Sequence, residues 1–263
     1  MKYLIYLLPL LLFSCVPTEE NKTIIPASTT TINLSTVSNT VVVDDIATVT
    51  VNSNEALTQV AVSDDNFVNP GGFVFLNNVT SLSLFFSFDS LGSHTKYLKF
   101  KNTKNETIEK TLTFTVVRNN TLRIKGLQII SFNNINQTWD PEFTSTDPER
   151  LADLFFAFTK NRFAGFNQMA YTDLLWHKST VIQNQGTMTW DLTTANLYMN
   201  PNKILKFSLA DYDGPNLWKT LIGFPGASTK DMDFTPYMVS KPTAITFNYP
   251  DMNLQFIVTV DWQ

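Results

Sequence analysis

Two carboxylates, Asp211 and Asp213, stand two residues apart at the end of an apolar stripe, and their types and spacing invite chemistry. In the stretch LKFSLADYD, Leu205, Phe207 and Leu209 share one face of a strand by period two, and that face continues into both aspartates. A core-facing stripe ends in carboxylates only where something nearby offsets their desolvation. Two solutions fit the residues: a bound cation, or a polar turn whose loop amides take the oxygens.

Other chemistries find little support. The chain has two histidines, His94 and His177, one in each half, and neither stands in an H-E-x-x-H pattern. There is no G-x-S-x-G elbow and no phosphate-cradling glycine loop. Each histidine reads as a surface or sheet residue, and Asp231 and Asp233 read as solvated loop charge. The expectation is a protein that is not an enzyme. A formal net charge of −4, without a basic block, argues against a nucleic-acid partner.

The chain opens MKYLIYLLPLLLFSC, with Lys2 ahead of an apolar run that suits a secretory segment and is short for a bilayer span. Leu12-Phe13-Ser14-Cys15 resembles the lipobox of bacterial lipoproteins. That resemblance implies removal of residues 1–14 and acylation of Cys15, the one cysteine in the chain. Each buried methylene contributes about 0.8 kcal/mol, so one acyl chain holds weakly and two or more hold durably. Val16 stands where the family's inner-membrane retention signal has Asp, which implies the outer membrane. Residues 15–30 read as the lipidated cysteine and a polar tether. The partners expected are the bilayer, through this anchor, and an envelope or surface protein.

What must position the aspartates is β structure. From 31 to 118, runs such as ATVTVNS, KYLKFK and TLTFTV alternate apolar and polar residues, with turn clusters NPGG and DSLGSH between them. One-sided burial of this kind suits a two-sheet sandwich, and the segment 86–116 resembles the last strands of the immunoglobulin-like modules of bacterial surface proteins. Asn119-Asn120 reads as a short junction to a second unit, 121–263, whose last strand alternates Leu254, Phe256, Val258, Val260 and Trp262 with their neighbours. The fold class expected is all-β, with two tandem β-sandwiches, the first immunoglobulin-like and the second C2-like.

The C2 reading rests on four pieces in order: DPERLADLFFAF, STVIQNQGTMTWDL, LKFSLADYD and LIG. Together they resemble the calcium- and phospholipid-binding C2 domain. The resemblance implies a ligand set of Asp147, Asp153, Asp211 and Asp213, with Thr220 where the family has a fifth Asp and Lys219 beside it. A hydroxyl is a poorer calcium ligand than a carboxylate, so one ion is expected, in the weak range of about 10⁻⁴ to 10⁻³ M. The resemblance also implies that Leu217 and Trp218, at the loop tip, contact a membrane or a partner. Asp147 has a second reading, as the N-cap of a helix that Pro148 and Glu149 would open. The functional expectation is a non-enzymatic envelope lipoprotein whose C2-like module makes protein or membrane contact with calcium. The alternatives are a metal-free structural subunit of a surface assembly, and a glycan-binding lipoprotein using Trp139 or Trp190, which also read as core residues.

Overall fold

The computed structural model describes residues 29–69, 72–166, 171–214, 218–220 and 229–263, with the backbone alone described at 164–166, 171 and 218–220. The architecture is all-β, two sandwiches in tandem. Cys15, the segment before it and Leu217 lie outside the described residues.

The first sandwich contains β1 (Ile32–Thr36), β2 (Thr40–Val42), β3 (Ile46–Ser63), β4 (Val74–Ser87), β5 (Gly92–Asn102) and β6 (Thr107–Val117). The long β3–β4 ribbon supplies both layers. Residues 46–52 of β3 pair with β1 and with the second half of β4, whereas residues 57–63 pair with β5. Register shifts between Asn52 and Leu57, and again before Gln59, mark the bend between these halves. The fold-over packs Val49, Val51 and Leu84 with Leu57, Val60, Leu98, Phe100 and Phe114, all buried. β6 ends at Val117, and Asn119 and Asn120 turn the chain with φ of 33° and 45°, a region that asparagine tolerates.

The second sandwich contains β7 (Leu122–Ser131), β8 (Leu154–Phe166), β9 (Tyr171–Lys178), β10 (Thr189–Asp191), β11 (Leu197–Met199), β12 (Leu205–Tyr212), β13 (Trp218–Thr220), β14 (Lys230–Met232), β15 (Ala244–Tyr249) and β16 (Leu254–Trp262). One layer is β10-β7-β16-β15 with β11 on β7; the other is built from β8, β9, β12, β13 and β14. Aromatic rings fill the space between them. Phe207 of β12 meets Phe256 of β16 at 4.3 Å between centroids, and Phe156 of β8 stacks on Phe207 at 6.0 Å.

The two sandwiches share a sheet. The last residues of β8 leave the second core and pair antiparallel with β4, Ala164 opposite Phe86 and Phe166 opposite Leu84, giving one 11-stranded sheet. Lys160 crosses this joint. Its Nζ reaches Asp44 Oδ1 at 2.9 Å and Oδ2 at 3.0 Å, donates to the Tyr198 carbonyl at 3.1 Å and lies 3.5 Å from the centre of the Trp176 ring. The Asn200 N–H donates to Asp44 Oδ2 at 3.0 Å, and its side-chain amide donates to Asp45 Oδ1 at 2.8 Å. Arg162 pairs with Asp89, and the Trp176 indole N–H donates to the Asp89 carbonyl at 3.2 Å. Tyr198, from β11, packs into the core of the first sandwich.

Along β8 and then β4 the molecule has two ends. Asp153, just before β8, marks one; the bend of β3, beside Val79 of β4, marks the other.

Candidate metal centre

The alternation of β12 places its residues as its sequence requires. Leu205, Phe207 and Leu209 are fully buried in the core, and Asp211, next on the same face, is 0% exposed. Asp211 stands opposite Leu154 in the β8–β12 pair, and its Oδ1 accepts the Asp153 N–H at 2.7 Å. The Tyr212 N–H in turn donates to the Asp153 carbonyl at 2.8 Å, which locks the strand end against the start of β8. Asp213 follows, and Gly214 then turns the chain at φ 119°, a conformation that a residue with a Cβ rarely adopts.

A third carboxylate arrives from the connection between β7 and β8. The Trp139 and Asp140 amides both donate to the Arg150 carbonyl, at 2.8 and 3.2 Å. Trp139 packs against Phe132 at 6.4 Å and donates its indole N–H to the Asn134 carbonyl at 3.1 Å, and Arg150 donates to the Asn136 carbonyl at 2.8 Å. This framework carries Asp140 to the end of β12. One carboxylate oxygen from each of Asp140, Asp211 and Asp213 lies within 4.8 Å of the others. The group adjoins a cavity of 480 Å³ whose lining includes Asp140, Glu142, Glu149, Asp153 and Asp213, with no lysine or arginine among its described lining residues.

The donor set fits a hard cation. Calcium takes oxygen ligands at about 2.3–2.6 Å, so two oxygens on one ion stand no more than about 5 Å apart. The observed separation meets that limit. The group offers oxygen alone, without the nitrogen or sulfur donors that zinc favours. A divalent cation bound among convergent carboxylates offsets their mutual repulsion.

Of the expected ligands, the structure brings Asp211 and Asp213 together and adds Asp140. Asp147 stands apart from this group. Its Oδ1 accepts the Glu149 N–H at 2.9 Å and caps a single 3-10 turn, Pro148–Arg150, so the helix-start reading describes its side chain while β8 begins only at Leu154. Proline at the first position favours that turn, and one carboxylate oxygen serves as its cap. Asp153 lines the cavity but is outside the converging group. Its Oδ1 accepts the Asn184 N–H at 2.8 Å, and its main chain holds Asp211. Thr220 and Lys219 lie on β13, opposite Ala210 and Asp211, and Trp218 is opposite Tyr212; their side chains are outside the described residues. Asp140 was missed because it stands in NQTWDPEF, a turn-like stretch seven residues before Asp147 and outside both candidate loops. Its signal is an Asp-Pro pair followed by Glu142.

The remaining candidates have structural surroundings. Trp190 is 4% exposed, donates to the Thr180 carbonyl at 2.8 Å and meets Phe156 edge-on; Trp139 packs at the core margin. Trp190 therefore offers no exposed ring for a sugar, whereas Trp139 is half-buried. His177 sits by Phe156 and Phe158, where burial pushes its imidazole below the ordinary range. His94 lies against Phe88, with Nε2 at 2.9 Å from the Ser90 carbonyl.

No protein-family model matches the chain, and no curated protein matches its sequence. Among solved structures, it is similar to the human OSCAR ligand-binding domain at 10% identity and a TM-score of 0.26, over 72% of this chain and 94% of that one. It is also similar to the Bacteroides ovatus mixed-linkage glucan utilization locus SGBP-B, bound to a mixed-linkage heptasaccharide, at 14% identity and a TM-score of 0.18. That likeness covers 60% of this chain and 43% of the other. Overlays this loose carry no argument about function.

Proposed function

We propose that the protein is a non-enzymatic envelope lipoprotein, anchored through Cys15, whose C2-like second sandwich binds one calcium ion at Asp140, Asp211 and Asp213. The convergence of these three carboxylates within 4.8 Å carries the reading. Bound there, calcium would neutralise the group and tie the loop holding Asp140 to the end of β12. That loop and the cavity beside it then form a contact surface for an envelope or surface protein.

The direction of the fold favours a protein partner over the anchoring membrane. The cluster lies at the Asp153 end of β8, whereas the chain enters the first sandwich at the opposite end, where Thr30 meets Glu55 and Asn102. The cluster, and the β13 backbone beside it, therefore stand at the end away from the bilayer that would hold Cys15.

Calorimetric titration and thermal unfolding with calcium test the reading. Wild type should bind with a dissociation constant of about 10⁻⁴ to 10⁻³ M and melt at a higher temperature with the ion. Asp140→Asn and Asp213→Asn should abolish both effects, while Asp147→Asn should retain them. No heat and no shift at about ten times the weak-range ceiling would sink the calcium reading.

A further inference from the structure

One layer of the second sandwich ends at β15, which pairs with β16 on one side and, among the described residues, with no strand on the other. Such an edge offers backbone donors and acceptors to another chain, and folded proteins blunt it with charges, prolines or bulges. β15 carries none of these along its length. Its register with β16 runs without a shift from Ala244 to Tyr249, and the charges and prolines stand outside it, Lys241-Pro242 before and Pro250-Asp251 after.

The ladder fixes which groups face outward. The Val260 N–H donates to the Thr243 carbonyl at 2.9 Å, so residues in step with Thr243, namely Ile245, Phe247 and Tyr249, turn their amides and carbonyls toward β16. Ala244, Thr246 and Asn248 turn theirs to the open edge. The latter residues are exposed on the outer face of the sheet, while Ile245 and Phe247 are buried on the inner one.

We propose that β15 is a dimerisation edge, on which β15 of a second copy of this chain lies antiparallel, with Thr246 opposite Thr246 of the partner subunit. A two-fold axis through that pair makes a closed, isologous contact. Ala244 then faces Asn248 of the partner subunit, and each outward-facing pair exchanges both of its backbone hydrogen bonds. On the inner face Ile245 meets Phe247 of the partner subunit, so the apolar row of one sandwich continues into the other. The prolines hold the register. A slip of two residues either way sets Asn248 against Pro242 or Ala244 against Pro250, and proline has no N–H to give. Charge selects a second copy as the occupant. The same register carries the exposed Lys241 to the level of Asp251 of the partner subunit, once on each side of the axis. Asp251 meets Lys230 at 2.7 Å within its own chain, yet its side chain stays 64% exposed and open to a second cation. The dimer is independent of the calcium site.

Analytical ultracentrifugation of the full chain in detergent, over a concentration series, should give the mass of two chains per particle. Thr246→Lys and Thr246→Glu each set like charges across the axis and should sediment as single chains, while their equimolar mixture should recover the dimer. Both should keep the wild-type circular dichroism, because Thr246 is exposed. Hydrogen exchange of the wild type reads the same edge without a mutation and decides the matter if a variant misfolds. Amides of Ala244, Thr246 and Asn248 should gain protection as concentration rises, while those of Phe256 and Val258, bonded within the sheet, hold steady. A single-chain mass at every concentration overturns the proposal and leaves the edge to a strand of another protein. A dimer that both charged variants retain, a mixture that stays single-chain, or exchange at 244–248 that ignores concentration overturns it as well.

Discussion

Replacing Asp44 with asparagine removes the counter-charge of Lys160 while leaving an oxygen to accept the Asn200 N–H, so it isolates the ion pair that joins the two sandwiches. Lys160 is 5% exposed, and burial pushes its pKa from 10.5 down to about 8 even with Asp44 opposing the shift. A depression of that size means the folded state carries a penalty of about 3 kcal/mol for keeping the ammonium below pH 8. Between pH 8 and 10.5 the folded state sheds this proton while the unfolded chain retains it, so the contribution to stability rises with pH across that window. At pH 7 the protonated form is favoured over the neutral amine by only about 1 kcal/mol, which limits the purely electrostatic loss in Asp44→Asn. Weakening of charge-assisted hydrogen bonds adds to it, for a total loss of about 1.5–3 kcal/mol. Lys160→Met should also destabilise, because it leaves the nearly buried Asp44 carboxylate without its counter-charge and with the Asn200 amide as a weaker partner. The double variant should recover most of the Asp44→Asn loss, giving a coupling energy above about 1 kcal/mol. Urea unfolding followed by tryptophan fluorescence at pH 7 and pH 9 measures all four proteins. At pH 9 native Lys160 is mostly neutral, so the Asp44→Asn deficit should shrink. An equal deficit at both pH values, or a double variant no more stable than Asp44→Asn, would refute the reasoning.

Phe207→Ala opens a hole where the two layers of the second sandwich meet and should cost about 3–5 kcal/mol in urea unfolding. Tyr249 has its hydroxyl on the Asp231 carbonyl at 2.7 Å and its pKa pushed up to about 12, chiefly by burial. Ultraviolet titration should show a late-ionising tyrosine that disappears in Tyr249→Phe, with a stability loss of about 1 kcal/mol. Gly214→Ala forces a Cβ into φ 119° and should cost about 1–3 kcal/mol while weakening calcium binding measured by calorimetry, since the turn sets Asp213.

Much of the fold was legible because strand alternation is a local property. The stripe Leu205, Phe207, Leu209 is buried as its spacing requires, and period two alone places Asp211 on the same face. The alternation of 254–260 likewise marks Leu254, Phe256, Val258 and Val260 as core residues of β16. Asp147 was harder because two local signals overlapped: Asp-Pro-Glu opens a turn and LFFAF makes a strand, and the chain does both in succession. Lys160 in FTKNR carries no local signal of burial, which follows only from the arrival of Asp44 and Tyr198 from elsewhere.

By itself, then, the sequence determined which residues alternate, where the turns fall and that a buried strand face ends in carboxylates. Tertiary structure decided the partners. Asp140 reaches Asp211 only because the connection before β8 folds back onto the Arg150 carbonyl, and the sandwiches become one sheet only because β8 outruns its own core and meets β4. Side-chain periodicity is set by the backbone of each strand, whereas these contacts join residues tens of positions apart. Their stability comes from packing and hydrogen bonds that exist once both layers have closed.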